Sequence, residues 1–434
     1  MKKWLVFLIA LLIAMAFTFS VYAGGQGEKK AEKKVLRVAA PPWIFKKFPL
    51  EDVCNKFEQN HAGVKIERIR ADKWGGVTYI PEWQAGKTSF DLFVGGSGSM
   101  LAPLIVGGWT EPMDSMLTGN MAPEKLVGGF LNAGKYKKPG GGSYFPVLPF
   151  MGEVAIIGVN TNIMKKAGLW SNGKPVPIPS MKESEFIGWF AKMKNFAPVG
   201  AHIQIWDREF MQYDYNAGIQ AMRGTFKDPN GEGFDISSPQ AKQWLTLIQT
   251  LYKKGLAAYT ISDDKGYELW KSGAAGSFFA AQGHIMELVS VTHRNSDIAY
   301  TGWPGSAKSG SIIWTHSVWM PKVAKNKDIA KAFIREEIFS KYFGQWSFNH
   351  YGKLPILKSA YGEGITRFKD QMPTLLAIAD HSSPIPLYKD LNKYLDILQK
   401  YLPEAAFGRM SVDKALSSIK KEIQGLDFTD VRAY

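Results

Sequence analysis

The sequence predicts an α/β fold built on an open sheet, and three strand-like segments near its N-terminus are the main evidence. VLRVAAPPW and VKIERIRA have strand patterns, and PLEDVCNKFEQNHAG between them has apolar residues at helical spacing from Leu50 to Phe57. FDLFVGG is a further, buried strand. In such sheets ligands bind beyond the carboxyl ends of the strands, where Trp43 and the 95–99 turn fall. The length of 434 residues predicts two or more domains.

The rest of the chain continues this alternation. Val154 to Val159 are predicted to form a long apolar strand, and a helix begins at Thr161 or Asn162. A Pro-rich loop leads to the amphipathic helix in SMKESEFIGWFAKM, which Ser184 is predicted to cap. Further helices are predicted in SPQAKQWLTLIQTLYKKGL, in KNKDIAKAFIREEIFSKYF and over most of 388–426.

The N-terminus has the pattern of a secretory signal. Residues 1–23 contain two early lysines, an apolar run and a small-residue VYA end, which predicts a cleaved signal peptide. An uncleaved anchor is the alternative, since the run is just short of the ~20 residues that span a bilayer. Residues 24–34 are predicted to be a flexible linker. Gly24 stands where a lipoprotein would have cysteine, so we expect a soluble periplasmic protein.

Composition argues against several other classes of protein. The net charge of +14 is dispersed rather than gathered in a basic stripe with aromatics, so nucleic-acid binding is not expected. Cys54 is the one cysteine of the sequence, which excludes an intramolecular disulfide and favours a small buried side chain. The sequence contains no HExxH, phosphate-loop or GxSxG motif, and its seven histidines lack zinc spacing. We therefore expect neither catalysis nor a cofactor.

The stretch SGSIIWTHSVWMP carries two tryptophans with a histidine between them. In a strand, side chains alternate between faces, so Trp314 and His316 share one face and Trp319 lies on the other. We expect Trp314 and His316 to face a cleft and Trp319 to pack in the core.

The order of motifs resembles the extracellular solute-binding proteins of bacterial ABC importers, in particular the sugar-binding group that includes the maltose-binding protein. The residues that carry the resemblance are FDLFVGGSGSMLAPLIVGGWTEPMD, LPFMGEVAIIGVNTNIMKKAGL, ELWKSGAAGSFFAAQG, VWMPKVAKNKDIAKAFIREEI, YGKLPI and AAFGRMSVDKALSSIKKEI. Each motif is weak by itself, but their order extends over nearly the whole predicted mature chain.

The resemblance implies a two-lobe periplasmic-binding-protein fold, with mixed sheets flanked by helices and a hinge of several segments. It places the crossings near 150–154, 299–302 and 343–346. Lobe one is then 35–150 plus 302–343, and lobe two is 153–298 plus 346–434. Such lobes close on a ligand about the hinge.

The resemblance also implies ligand contacts on lobe one and at the first crossing. Trp43 ends the first strand, although core packing explains a tryptophan there equally well. Ser97 offers a hydroxyl in a Gly-rich turn, where the alternative is a tight turn that requires glycine. Glu153 resembles a carboxylate that accepts hydrogen bonds from sugar hydroxyls, and a charge in an apolar strand needs partners.

Further contacts are implied on lobe two. Trp206 and Asp207 fall where relatives bind ligand, although Asp207 and Arg208 also fit a surface ion pair. Gln282 and His284 follow a small-residue strand, and relatives often have an aromatic residue at the histidine position. Tyr388 resembles another position at which relatives have an aromatic ring that contacts the ligand, and core or surface packing is the alternative.

The expected function is a periplasmic receptor, a monomer, that binds a mono- or oligosaccharide and delivers it to a membrane ABC permease. Bulky side chains in 311–315, where relatives often have glycine, favour a small or flat ligand. The alternatives are a receptor for a polyol or glycerol phosphate and, from another class, an exported carbohydrate-active enzyme. An iron site formed by Tyr213, Asp214 and Tyr215 is a further option, but strand or loop geometry would point these side chains apart.

Overall fold

The computed structural model describes residues 34–433 except 72–76, 97, 139, 206–210, 232, 259–265, 267, 271, 284 and 287–297. The predicted signal peptide 1–23 and all but the last residue of the predicted linker lie outside the described residues. So do four predicted ligand residues, namely Ser97, Trp206, Asp207 and His284. Across the described part of the chain, no helix has the length and apolar character needed to cross a membrane.

Helices and strands alternate along the described chain, which confirms the predicted α/β class. The strands are β1 Lys34–Ala40, β2 Val64–Arg70, β3 Leu92–Val94, β4 Tyr136–Lys137, β5 Ser143–Tyr144, β6 Leu148–Asn160, β7 Trp170–Ser171, β8 Lys174–Pro175, β9 Ala201–His202, β10 Ala257–Ala258, β11 Ser277–Ala281, β12 Ile298–Thr301, β13 Ile312–Trp319, β14 Leu354–Pro355 and β15 Ser383–Pro384. The α-helices are α1 Pro42–Lys47, α2 Leu50–Asn60, α3 Ile80–Gln84, α4 Gly98–Val106, α5 Gly128–Asn132, α6 Thr161–Lys166, α7 Glu183–Lys194, α8 Met211–Arg223, α9 Pro239–Lys253, α10 Ser306–Ser309, α11 Lys327–Phe333, α12 Lys341–Tyr351, α13 Met372–His381, α14 Leu391–Ala406 and α15 Val412–Glu422.

The main sheet is mixed, with strands in the spatial order β10-β9-β11-β6-β13-β3-β1-β2. β1 pairs in parallel with β2 and β3, as expected for strands joined through helices. β13 runs antiparallel to β3 and to β6, between which it lies. β12 and β14 also pair with β6, and β15 pairs with β13.

β6 belongs to both halves of this sheet. Its first part, up to Val154, pairs with β13, and its second part, from Ala155, pairs with β11. Every residue of β6 is buried, and apart from Glu153 and Asn160 the strand is an apolar run rather than an alternating one. The predicted strand from Val154 to Val159 is therefore confirmed, and the structure extends it at both ends.

Trp319 lies in the core, as its position in the strand predicts. It is fully buried, and its ring stacks on Phe93 with centroids 4.9 Å apart. Trp83 and Phe90 contact the same indole edge-on, at 6.0 and 5.7 Å. Such edge-on and stacked contacts stabilise aromatic clusters beyond the area that they bury.

Two local predictions are wrong. Trp43 was expected at the end of the first strand, but β1 ends at Ala40 and Trp43 lies in the helix α1. Pro42 is the first residue of this helix, where proline fits because the N–H groups of the first turn have no partner within the helix. Ser184 was expected to cap α7, but the helix begins at Glu183, with Lys182 in the capping position.

Candidate functional site

The pairing of β6 with β13 brings two predicted ligand residues together. Glu153 lies directly opposite Trp314 in the antiparallel register, so both side chains emerge on the same face of the sheet. His316 is two residues beyond Trp314 and shares that face. The register of the pairing shifts between His316 and Ser317, so the predicted placement of Trp319 on the opposite face stays a prediction.

Glu153 forms a buried ion pair with Lys353 at this point of the sheet. The side chains are only 3% and 5% exposed, respectively. Lys353 lies between α12 and β14, and β14 pairs with β6 at Met151 and Gly152. A buried charge is costly unless it is paired, so this ion pair explains how β6 accommodates a carboxylate.

His316 and Trp43 extend this cluster. The Nε2 atom of His316 lies 3.9 Å from Oε1 of Glu153. The imidazole ring also contacts the indole of Trp43 edge-on, with centroids 5.2 Å apart. Trp43 is half-buried in the first turn of α1, and its ring also contacts that of Phe48 edge-on, with centroids 5.8 Å apart. The cluster thus joins a carboxylate, an ammonium group, an imidazole and a partly exposed indole.

Trp314 adds a second partly exposed indole. Its ring lies 5.5 Å from that of Tyr213 on α8, at an interplanar angle of 50°. The two rings meet between β13 and a helix that packs against β11, so Trp314 links two parts of the sheet. Trp43, which contacts His316, and Trp314, which contacts Tyr213, are therefore two partly exposed indoles near this part of β13.

Gln282 holds the backbone around the cluster. Its side-chain carbonyl accepts a hydrogen bond from the Val154 N–H, and its Nε2 donates to the carbonyl of Gly352 at 2.7 Å. Its own carbonyl accepts from the Tyr300 hydroxyl at 3.0 Å. The residue is fully buried, so these contacts join β6, β12 and the segment before β14. A ligand contact by Gln282 stays a prediction.

Gly283 lies against the ion pair. A Cβ atom at this position would lie 2.8 Å from the Glu153 carboxyl and 3.0 Å from Nζ of Lys353. Real Cβ atoms essentially never approach other atoms closer than about 3 Å, so only glycine fits without a shift. The small residue in the AAQG motif therefore allows the backbone to cover Glu153 and Lys353.

Tyr388 lies elsewhere, at the start of the segment that leads into α14. It is buried, its hydroxyl donates to the Gly233 carbonyl at 3.3 Å, and its ring contacts Phe428 edge-on at 5.3 Å. Burial raises the pKa of its hydroxyl well above the usual range. One side of Tyr388 also lines a cavity of about 290 Å³ shared with α4. Its ligand role stays a prediction.

Sequence reasoning missed Lys353, although the signal was present. A single lysine in the otherwise apolar YGKLPI needs an acidic partner if it is buried, and Glu153 in its apolar strand had the same requirement. Tyr213 was considered only for an iron site. Within the described residues, no group of three or more His, Cys, Asp or Glu side chains comes together, and Asp214 accepts a hydrogen bond from the Gln204 N–H at 2.7 Å.

Comparisons with known proteins agree with this architecture. A family model described as a bacterial extracellular solute-binding protein matches residues 52–367. No curated protein sequence is significantly similar to the chain.

Solved structures of low sequence identity share the fold. The sugar-binding protein MalE of Xanthomonas citri is 11% identical, with a TM-score of 0.72 over 90% of this chain and 96% of its own. The GacH receptor of Streptomyces glaucescens is 14% identical, with a TM-score of 0.69 over 90% and 97%. An ABC transporter solute-binding protein of Thermotoga lettingae is 16% identical, with a TM-score of 0.69 over 90% and 99%. The predicted two-lobe fold is confirmed by this likeness.

Proposed function

Because the chain belongs to the bacterial extracellular solute-binding proteins, we propose that it is a periplasmic receptor that binds a carbohydrate between two lobes. It releases this ligand to a membrane ABC permease and catalyses no reaction. The neighbours' titles support the ligand class: the GacH receptor is described in complex with acarbose, and the Thermotoga lettingae protein with α-D-tagatose.

The observation that carries the proposal is the convergence of Trp43, Trp314, His316 and Glu153 around one face of β13. Sugars present apolar C–H faces, which flat rings cover, and hydroxyl groups, which need a few placed polar partners. The two half-buried indoles supply the rings. Glu153 and His316 supply polar atoms held in place by Lys353 and by the strand pairing.

The shared strand β6 supports closure of the lobes about the 150–154 crossing. Its first part belongs to the half of the sheet that contains β1 to β3, and its second part to the half that contains β9 to β11. A bend within β6 would change the distance between Trp43 and Tyr213 while both halves keep their own hydrogen bonds. We assign 35–150 plus 302–343 to lobe one and 153–298 plus 346–434 to lobe two.

The proposal is tested by calorimetric titration of the purified mature protein with a panel of mono- and oligosaccharides. The panel also contains a polyol and glycerol phosphate, which represent the alternative ligand classes. In Trp43→Ala and Trp314→Ala we expect Kd to rise at least about tenfold, because each removes one ring face from the ligand. The matched control is Trp170→Ala, since Trp170 is also half-buried but lies in the β7–β8 hairpin.

Three results contradict the proposal or the site that carries it. Hydrolysis of a glycoside by the pure protein would show that it is an enzyme rather than a receptor. Equal losses of affinity in the Trp170 control and in both site variants would show that the indoles near β13 have no special role. A large loss of apo-protein stability in the site variants would assign both rings to the core.

A further inference from the structure

We infer that the ligand carries an apolar substituent, and that this group binds in the cavity between α4 and the segment leading into α14. The inference rests on the proposed function, because it assigns a second subsite to the same ligand. It concerns residues outside the cluster around Glu153.

The walls of this cavity are largely aliphatic. From α4 come Ala102, Pro103 and Val106, and Val106 is 63% exposed, the largest exposed fraction among the large hydrophobic residues that the structure describes. The facing wall consists of Leu387, Tyr388, Leu391 and Val431, with Lys389 and Asn392 completing the lining. An apolar group placed between the exposed Val106 side chain and the buried leucines removes apolar surface from water, and this burial favours binding.

Several polar groups of the facing wall already have partners within the protein. The Tyr388 hydroxyl donates to the Gly233 carbonyl, and the Leu387 N–H donates to Asp430 at 3.0 Å. The Leu387 carbonyl accepts from the Val431 N–H at 3.2 Å, and Lys389 forms an ion pair with Asp427 at 2.9 Å. A hydroxyl-rich sugar ring would therefore lose water here without regaining equivalent hydrogen bonds. An alkyl, acyl or aryl group has no such requirement.

Both walls are continuous with the proposed sugar site. β15 pairs with β13 at Ile312 and Ile313, immediately before Trp314, and Leu387 follows three residues after β15. On the other side, the Ser317 N–H donates to the carbonyl of Gly96 at 3.2 Å, just before α4 begins.

The cavity is also within reach of one ligand and large enough for the proposed group. At 1.5 Å per residue, Ala102 to Val106 lie about 6–12 Å along α4 from its first turn. A substituent on a sugar near Trp314 and His316 would enter the space between the two walls if it extended by this length along α4. The volume of about 290 Å³ exceeds that of an apolar cavity of about 150 Å³ known to hold benzene. The size fits a phenyl ring or a short alkyl or acyl chain.

The test compares methyl and 4-nitrophenyl glycosides of glucose, maltose, galactose and mannose, which differ only in the substituent on the anomeric oxygen. Titration calorimetry is carried out with the wild type and with Val106→Asp, which places a carboxylate at the cavity wall. Val35→Asp is the control, because Val35 is an exposed valine, at 37%, on β1. Melting temperatures confirm that both variants fold.

For each sugar that binds, we expect the 4-nitrophenyl glycoside to bind the wild type and Val35→Asp at least about tenfold more tightly than the methyl glycoside, or ~1.4 kcal/mol. In Val106→Asp this advantage falls below about threefold, while the affinity for the methyl glycoside is unchanged. Equal affinities for the two glycosides in the wild type would overturn the inference and leave the sugar receptor standing. An advantage that persists in Val106→Asp would also overturn it, because the aryl group then binds elsewhere. Failure of every glycoside to bind would refute the proposed function, and the inference with it.

Discussion

Replacing Lys353 with methionine removes the ammonium group that neutralises Glu153 in the interior of the protein. Both side chains are almost completely buried, so solvent screens their interaction very little. Loss of one partner from a buried ion pair costs about 3–5 kcal/mol, chiefly because the remaining charge stays desolvated. Methionine has a similar length and fills the space of the lysine stem, so packing is largely preserved. We expect Lys353→Met to lower the free energy of unfolding by this amount.

The expected loss of unfolding free energy is large enough to measure by thermal unfolding. Unfolding entropies are about 2 cal/mol/K per residue, so over the roughly 400 residues of the folded chain a loss of 3–5 kcal/mol lowers Tm by about 4–6 °C. Differential scanning calorimetry of the ligand-free protein gives Tm, and a urea titration gives the free energy at 25 °C. The same experiment is run on Glu153→Gln/Lys353→Met, which removes both charges.

The double variant separates charge from packing. If the loss comes from an uncompensated carboxylate, the double variant regains more than half of it, because neither charge remains buried. Lys400→Met, which breaks the exposed ion pair with Glu422, serves as the surface control and should leave Tm within about 1 °C. A double variant as unstable as Lys353→Met alone would refute the electrostatic reasoning. A Lys353→Met variant with the same Tm as the wild type would refute it too.

Further predictions concern His202 and two glycines, Gly283 and Gly188. Burial lowers the pKa of His202 to about 3. Between about pH 6.5 and pH 3 the unfolded state therefore binds more protons than the folded state. The free energy of unfolding then falls as the pH falls, by up to ~1.4 kcal/mol per pH unit. His202→Phe, which can keep the stacking on Phe278, should reduce this slope in urea titrations, and an unchanged slope would contradict the prediction. Gly283→Ala should lower Tm because its Cβ would meet the Glu153 carboxyl. Gly188→Ala, in the middle of α7 with no atom within 4 Å of the new Cβ, should stabilise by about 0.5–1 kcal/mol, and equal effects of the two alanines would be contrary to expectation.

Local patterns predicted much of the fold. The apolar run of β6 indicated a buried strand because both of its edges are paired, and the period of two in β13 placed Trp314 and His316 on the same face. The prediction failed at Trp43, which lies in a helix that begins at Pro42 rather than at the end of the first strand. A proline pair is compatible with both structures, and tertiary packing of Ile44 and Phe45 decides between them.

The candidate site was harder to predict than the fold because its contacts join distant parts of the chain. Lys353 and Glu153 are 200 residues apart in sequence, and no local pattern links them. Gln282 was selected as a ligand residue, but its amide joins Val154 to Gly352, which only the assembled sheet reveals. A polar side chain near a predicted cleft thus has two uses, ligand binding and backbone support, which sequence alone does not separate.

The position of β13 between β3 and β6 also determines when the protein can fold. Residues 161–311 separate β13 from β6 in the chain, so β3 and the first part of β6 keep unpaired edges until residue 319 has been synthesised. At ribosomal speeds of about 5–20 residues per second, this interval lasts roughly 8–30 s. During that time the N-terminal part cannot complete its sheet. The N-terminal half of the sheet is therefore completed only after about three quarters of the chain has been made.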